Sequence, residues 1–391
     1  MSAVPATVFA AAGLCLLLLA AAEPSAAADP PATTATASAA AAPAGSRAGV
    51  TRFASGAALL GELPGQFGGV LPCADCEGIR QTLELHPDGA FYWHSEYLGK
   101  PPLDLPDDAG RWLFASDGRT LLLFGGREAP VRLTVRNDGT LRLLDLEGRS
   151  IHSTLNYELQ RSATAFRPLE PRLRLRGAYT YFADSASLLD CATGRRLPIA
   201  PAGDAPALER AYTSARPAPA GAPRIALLEG RITAQMPMEG AGPRPTLLVE
   251  RFLELAPTGE ACPPPPVNLL LEDTRWRLIQ LGGEPLPTTS GRRRSREALL
   301  LFDAKQALIS GSGGCNALSG SYRRNDERIT FAQLAGTMLA CSGDVMNQER
   351  DFFASLGQAR RWLVAGRWLE LTDDEGRLLA RFEAETTPAS H

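Results

Sequence analysis

Histidine and lysine are almost missing from this sequence. Four histidines occur in 391 residues, and Lys100 and Lys305 are the only lysines. His86, His94 and His152 fall among the patterned segments but form neither H-x-H nor H-E-x-x-H, so the usual histidine metal spacings are excluded. There is no G-x-S-x-G elbow, no P-loop and no G-x-G-x-x-G, and "GSGGCN" (311–316) is only a Gly-rich turn. Carboxylate pairs are not diagnostic in a chain with 43 acidic residues. An excess of one charge is also lacking, because 40 basic residues face those 43 acids. That balance predicts neither a nucleic-acid partner nor an acidic-surface partner. Binding, sensing or scaffolding is therefore expected, and not catalysis.

A run long enough to span a membrane is missing too. The longest apolar stretch, residues 8 to 22, has fifteen residues, short of the roughly 20 a transmembrane helix needs. It has the length of a secretory h-region, and Ser25-Ala26-Ala27-Ala28 before Asp29 offers a cleavage site of the A-x-A kind. No Lys or Arg precedes it, a departure from the usual signal. The expectation is a signal peptide over 1–28, a mature chain starting near Asp29, and a periplasmic protein. Cys15 raises the alternative of an outer-membrane lipoprotein. A lipobox wants a small residue before its cysteine, however, and Leu14 stands there. Membrane anchoring stays open at this point.

Without Cys15, the remaining cysteines are Cys73, Cys76, Cys191, Cys262, Cys315 and Cys341. An even count in an exported chain reads as disulfides, and six cysteines allow fifteen connectivities. Cys73 and Cys76, in "LPCADCEGIR", have three readings. They form a structural or redox-sensing disulfide, they bind a metal, or they exchange disulfides catalytically. Two thiolates would suit Cu(I), although no Met or His neighbours them. Catalytic exchange wants an electropositive helix end to lower a thiol pKa, and the pattern here is strand and loop. No resident cofactor is expected, copper being the one metal the pair would suit.

The rest of the chain falls into modules. Residues 29–58 are mostly Ala, Pro, Thr and Ser and are expected to be a disordered leader. From there, alternating runs are punctuated by Asp-Gly or Glu-Gly: "QTLEL-HPDG-AFYWHSEY", "SDG-RTLLLF", "NDG-TLRLLDL" and "EG-RSIHSTLNYEL". Phe91, Trp93 and Tyr97 share one face and Tyr92, His94 and Glu96 the other. Repeated hairpins imply an antiparallel meander over 59–162, open or closed into a barrel. After a break at "RPLEPR", residues 171–262 hold strands such as "TLLVERFLEL". They also hold one helix, "ALERAYTSAR", with Leu208, Ala211, Tyr212 and Ala215 on a stripe. That content suits an OB-like barrel. "CPPPPV" begins a stiff proline linker over 263–270. In 271–384, "TRWRLIQL" and "ALLLF" read as strands and "QERDFFASL" as a helix, followed by turn-divided strands. Arg292, Arg293, Arg294 and Arg296 read as a solvated loop. Modules so separated are expected to fold independently.

These stretches carry a resemblance. "GGVLPCADCEGIRQTLELHPDGAFYWHSEYLGKP" resembles the N-terminal domain of the NlpE family, the copper homeostasis lipoproteins, and "GRW", "LRLLDLEG" and "LNYELQR" fit the same domain. "LRGAYTYFADSASLLDCATGRRLPIA", "ALERAYTSAR", "LEGRI" and "VERFLEL…GEAC" resemble that family's C-terminal OB domain. "SGSGGCNALSGSYRRNDERITFAQLAGTMLAC", with "ERDFFASL" and "LELTDDEGRLLARF", resembles a META domain of the HslJ kind. The resemblance covers roughly 60–384 and implies a mainly β chain: a lipocalin-like half-barrel, an OB-like barrel and a small α+β META domain. It implies a long-range disulfide between Cys191 and Cys262. It places Cys315 and Cys341 in one module, where they are expected to pair. It also implies a non-catalytic envelope-stress protein linked to copper tolerance, whose partner is an envelope-stress sensor kinase or another envelope protein.

Overall fold

The computed structural model describes residues 56–385 apart from 102–104, 128, 216–218, 238–241 and 287–296. The signal segment, Cys15, most of the leader and the arginine loop at 292–296 lie outside the described residues. The last leader positions do not: Gly56–Leu59 form a short helix, α1, and Leu60 enters the core behind it.

The first domain is an eight-stranded closed barrel in which each strand pairs with the next. Its strands are β1 (Gly65–Leu71), β2 (Gly78–Leu85), β3 (Ala90–Leu98), β4 (Asp108–Phe114), β5 (Thr120–Phe124), β6 (Val131–Val135), β7 (Leu141–Leu143) and β8 (Glu158–Arg161). The expected lipocalin-like sheet closes on itself through Phe67↔Arg161 and Gly68↔Gln160. Asp-Gly pairs sit at the hairpin tips, where Gly89 and Gly139 take φ of +83° and +80°, values a side chain would resist. Inward residues of period two fill the barrel, among them Phe67, Leu83, Leu85, Phe91, Trp93, Leu121 and Leu133. "RSIHSTLNYEL" is mostly irregular and adds only β8 and a bridge from Ser150 to Leu144.

The second domain is a five-stranded sheet in the order β11-β10-β9-β12-β13. The strands are β9 (Arg172–Phe182), β10 (Ser185–Asp190), β11 (Arg196–Pro198), β12 (Arg224–Gln235) and β13 (Arg244–Leu255). The sheet curls until Ile199 bridges Leu247, as an OB-like barrel requires. Helix α2 (Ala205–Ser214) lays Leu208 and Tyr212 into the core, two members of the stripe read from sequence.

The third domain is a nine-stranded sheet whose ends meet, because β14 pairs with both β16 and β22. It comprises β14 (Trp276–Leu281), β15 (Glu284–Pro285), β16 (Leu299–Asp303), β17 (Leu308–Ser312), β18 (Ala317–Asn325), β19 (Arg328–Gly336), β20 (Arg361–Ala365), β21 (Trp368–Thr372) and β22 (Leu378–Ala384). Helix α3 (Gly343–Gln358) starts five residues earlier than "QERDFFASL" suggests and buries Phe352 and Leu356 against Trp276 and Phe382.

The barrel makes contacts on two sides. Tyr92, on the polar face of β3, is 3% exposed because it joins the core of the second domain together with Ala109. On another side Leu113, Ala115, Leu122 and Phe124 pack with Leu363 and Ala365 of the third domain. Phe124 stacks on Trp368 at 6.4 Å between ring centroids. The far end of the proline linker takes part. Asn268 donates to Phe114 O and accepts from Gly366 N at 2.8 Å, while Leu269 packs on the third core. That end is therefore part of a junction, whereas the sequence reads as spacer throughout.

Candidate functional site

The "LPCADCEGIR" loop joins β1 to β2 at one end of the barrel. Cys73 and Cys76 are bonded, with Cα atoms 5.3 Å apart. Strand β2 follows, so neither cysteine opens a helix. Both cysteines are half-buried and Asp75 between them is exposed. Lys100 hydrogen-bonds Asp75, and that bond and the ammonium charge hold the Asp75 carboxyl below the usual range. One donor atom from each of Cys73, Asp75 and Cys76 lies within 4.8 Å of the others. In the bonded state the sulfurs are not thiolates. Once reduced, they would offer a metal two thiolates and a carboxylate.

Cys191 and Cys262, 71 residues apart in sequence, are bonded with Cα atoms 5.0 Å apart. Cys191 sits in a tight turn built by Asp190, whose carboxylate accepts from Thr193 N at 3.1 Å and from Thr193 Oγ1 at 2.5 Å. Burial pushes the Asp190 carboxyl up, and the Thr193 donors offset this only in part. The same turn touches the barrel. Thr193 O accepts from Arg111 at 2.7 Å, Arg195 holds Asp88 at 2.8 and 3.1 Å, and the Arg195 guanidinium lies over the Tyr92 ring. Burial works against ionised Asp88, but Arg195 and the Ala90 N–H outweigh it and hold that carboxyl low.

Cys315 and Cys341 are bonded with Cα atoms 6.1 Å apart. Around them, buried Glu349 accepts from Cys315 N at 3.2 Å, Asn316 N at 2.7 Å and Asn316 Nδ2 at 2.6 Å. Asn316 Oδ1 in turn accepts from Thr337 Oγ1 at 2.9 Å and Leu339 N at 2.6 Å. This network fastens the "GGCN" turn and the "TMLAC" loop to α3. Met338 is fully exposed on that fastened loop.

Sequence reasoning missed Glu349, the Arg111–Thr193 and Arg195–Asp88 contacts, and a charge cluster between the first and third domains. In that cluster Arg132 donates to both Glu370 oxygens at 2.8 and 2.6 Å, and Arg381 Nε adds a bond of 2.9 Å. Arg132 and Glu370 are 6% and 2% exposed. Burial alone would lower the Arg132 pKa, but Glu370 outweighs it and raises it. A signal was available: "VRLTV" and "WLELT" each set a charge inside an apolar run. Beside the cluster, a cleft of about 780 Å³ is lined by Asp145, Arg149, Glu327, Arg361 and Trp362. Its charges pair with each other: Arg149 with Asp145, and Arg361 with Glu327.

Family comparison follows these boundaries. The NlpE N-terminal domain matches residues 67–154, the NlpE C-terminal OB domain 169–263 and the META domain 267–386. The three matched regions follow one another along this chain. Lipoprotein NlpE of Escherichia coli (strain K12) is 39% identical over 162 residues, which are 41% of this chain and 65% of that protein. The match thus spans just under two thirds of the relative's length. A crystal structure of the Cpx pathway activator NlpE from Escherichia coli shows 31% identity, covers 51% of this chain and 98% of that one, and has a TM-score of 0.22. An NMR structure of a protein from Burkholderia xenovorans shows 26% identity, covers 34% and 100%, and has a TM-score of 0.26. The bonded pairs fall one to each domain: 73–76 in the NlpE N-terminal domain, 191–262 in the OB domain and 315–341 in the META domain. Among the described residues, no helix is long and apolar enough to cross a membrane.

Proposed function

We propose that this chain is a non-catalytic protein of the bacterial cell envelope that takes part in envelope-stress sensing. The observation that carries the reading is the succession of both NlpE domains in one chain, at 39% identity to Lipoprotein NlpE of Escherichia coli. The crystal structure of that relative names it a Cpx pathway activator. By this reading the chain is exported to the periplasm, with an outer-membrane lipoprotein as the alternative. Its partner is a sensor kinase or another envelope protein. Disulfides persist in such a compartment, and a bond that forms only there ties a domain's fold to the oxidising state of its surroundings. The experiment is an envelope-stress reporter in a host deleted for its own NlpE-like protein. Expression of this chain restores an inducible response. A reporter that stays at the deletion level at matched protein abundance refutes the reading.

A second reading rests on the clustered donors of Cys73, Asp75 and Cys76. Reduced, the loop binds Cu(I) through two thiolates, which links the protein to copper tolerance. Copper titration of the reduced and oxidised protein tests it. Stoichiometric binding confined to the reduced form, and lost in Cys73→Ala/Cys76→Ala, supports the reading. Equal binding by both forms contradicts it.

A further inference from the structure

The Cys191–Cys262 bond does more than close one domain, because each cysteine continues into a different contact with the barrel. On the Cys191 side the turn carries Thr193 and Arg195, which hold Arg111 and Asp88. Nearby, Asp107 N donates to Arg172 O at 2.7 Å and Arg172 N to Asp107 Oδ2 at 2.9 Å. On the Cys262 side four prolines follow directly, and a proline run is extended and resists bending. Two residues past its end Asn268 spans the barrel and the META domain, bonded to Phe114 O and Gly366 N, with Leu269 N donating to Gly366 O at 3.1 Å. One bond therefore links the turn that docks on the barrel to the root of a strut that ends at the barrel–META junction.

We propose that the Cys191–Cys262 disulfide is a coupling point for the three domains, and that its reduction loosens both the OB–barrel dock and the barrel–META junction. Both sulfurs belong to half-buried residues, so a small dithiol can reach them. Such a dithiol supplies two electrons and two protons. The Sγ–Sγ bond breaks, Cys191 and Cys262 become thiols, and the reductant closes its own disulfide. The strut then loses its anchor at Cys262, and its tie to the OB domain falls back on the Arg176–Glu260 ion pair and the chain leading to β13. The inference rests on the envelope-stress reading proposed above, in which a bond that forms only in an oxidising compartment ties fold to redox state, but its test is structural and independent of any reporter.

The test is amide hydrogen exchange on the full chain, comparing wild type, Cys191→Ala/Cys262→Ala and Cys73→Ala/Cys76→Ala. The informative amides are Asp107 at the dock and Leu269 and Gly366 at the junction. The first variant accelerates exchange at all three by about fivefold or more, while interior barrel amides such as Leu83 keep their rates. The second variant leaves all three unchanged. Acceleration confined to residues 172–262 overturns the proposal, including the case in which the OB domain unfolds while Leu269 and Gly366 exchange as in wild type. Adding Asn268→Ala checks the route. With the strut cut there, replacing the cysteines adds no further acceleration at Gly366, and an undiminished effect would refute transmission through the strut.

Discussion

At the scale of single residues, buried charge is where this chain takes its largest risks. Arg132 and Glu370 meet between the barrel and the META domain with almost no access to water. Removing one partner leaves the other desolvated and unpaired, a situation that costs about 3–5 kcal/mol. Arg132→Ala is therefore expected to lower unfolding stability by that order, whereas Arg132→Met combined with Glu370→Leu recovers most of the loss. Denaturant unfolding of the three proteins checks this, and a single variant as stable as wild type would show that the pair contributes little. The residues themselves were visible in the sequence as charges inside apolar runs. Their partnership was not, because they stand 238 positions apart and only the docking of two domains brings them together. The burial of Tyr92 was hidden for the same reason. Alternation assigns it to the polar face of β3, and the second domain covers that face.

At the scale of elements, period and turn chemistry carried much of the information. Asp-Gly at the tips of "HPDG" and "NDG" marked hairpins that the barrel forms, and the apolar stripe of "ALERAYTSAR" marked α2. The reading weakened where side chains replace periodicity. The opening turn of α3, Gly343 to Met346, holds Val345 and Met346 side by side and fully buries neither, so it lacks the spaced apolar stripe of the later turns, and "RSIHSTLNYEL" alternates without a neighbouring strand to accept its middle. The disulfides belong to this scale as well. The bond joining Cys191 to Cys262 closes a loop of about seventy residues, for which the chain-entropy model gives a few kcal/mol. Cys191→Ala/Cys262→Ala is expected to destabilise the OB domain by about 2–5 kcal/mol. Thermal unfolding against wild type measures this, and an unchanged midpoint would mean that the docked barrel alone holds the domain closed.

At the scale of the whole molecule, the sequence marks three modules and a linker, while the structure adds how they are held. The barrel takes the OB domain on its Tyr92 side and the META domain on its Phe124 side, and the linker ends at that second contact. Such contacts depend on outward residues of one domain meeting those of another, which no local pattern encodes. A cysteine pair can therefore matter beyond its own domain, and on the function proposed above the envelope-stress response reads the state of the Cys191–Cys262 bond. The most direct measurement is the stress reporter, in a host deleted for its own NlpE-like protein, with wild type and Cys191→Ala/Cys262→Ala at matched abundance. The variant is expected to shift basal or induced signalling away from wild type. Identical basal and induced signalling would contradict it and leave the bond as a structural staple.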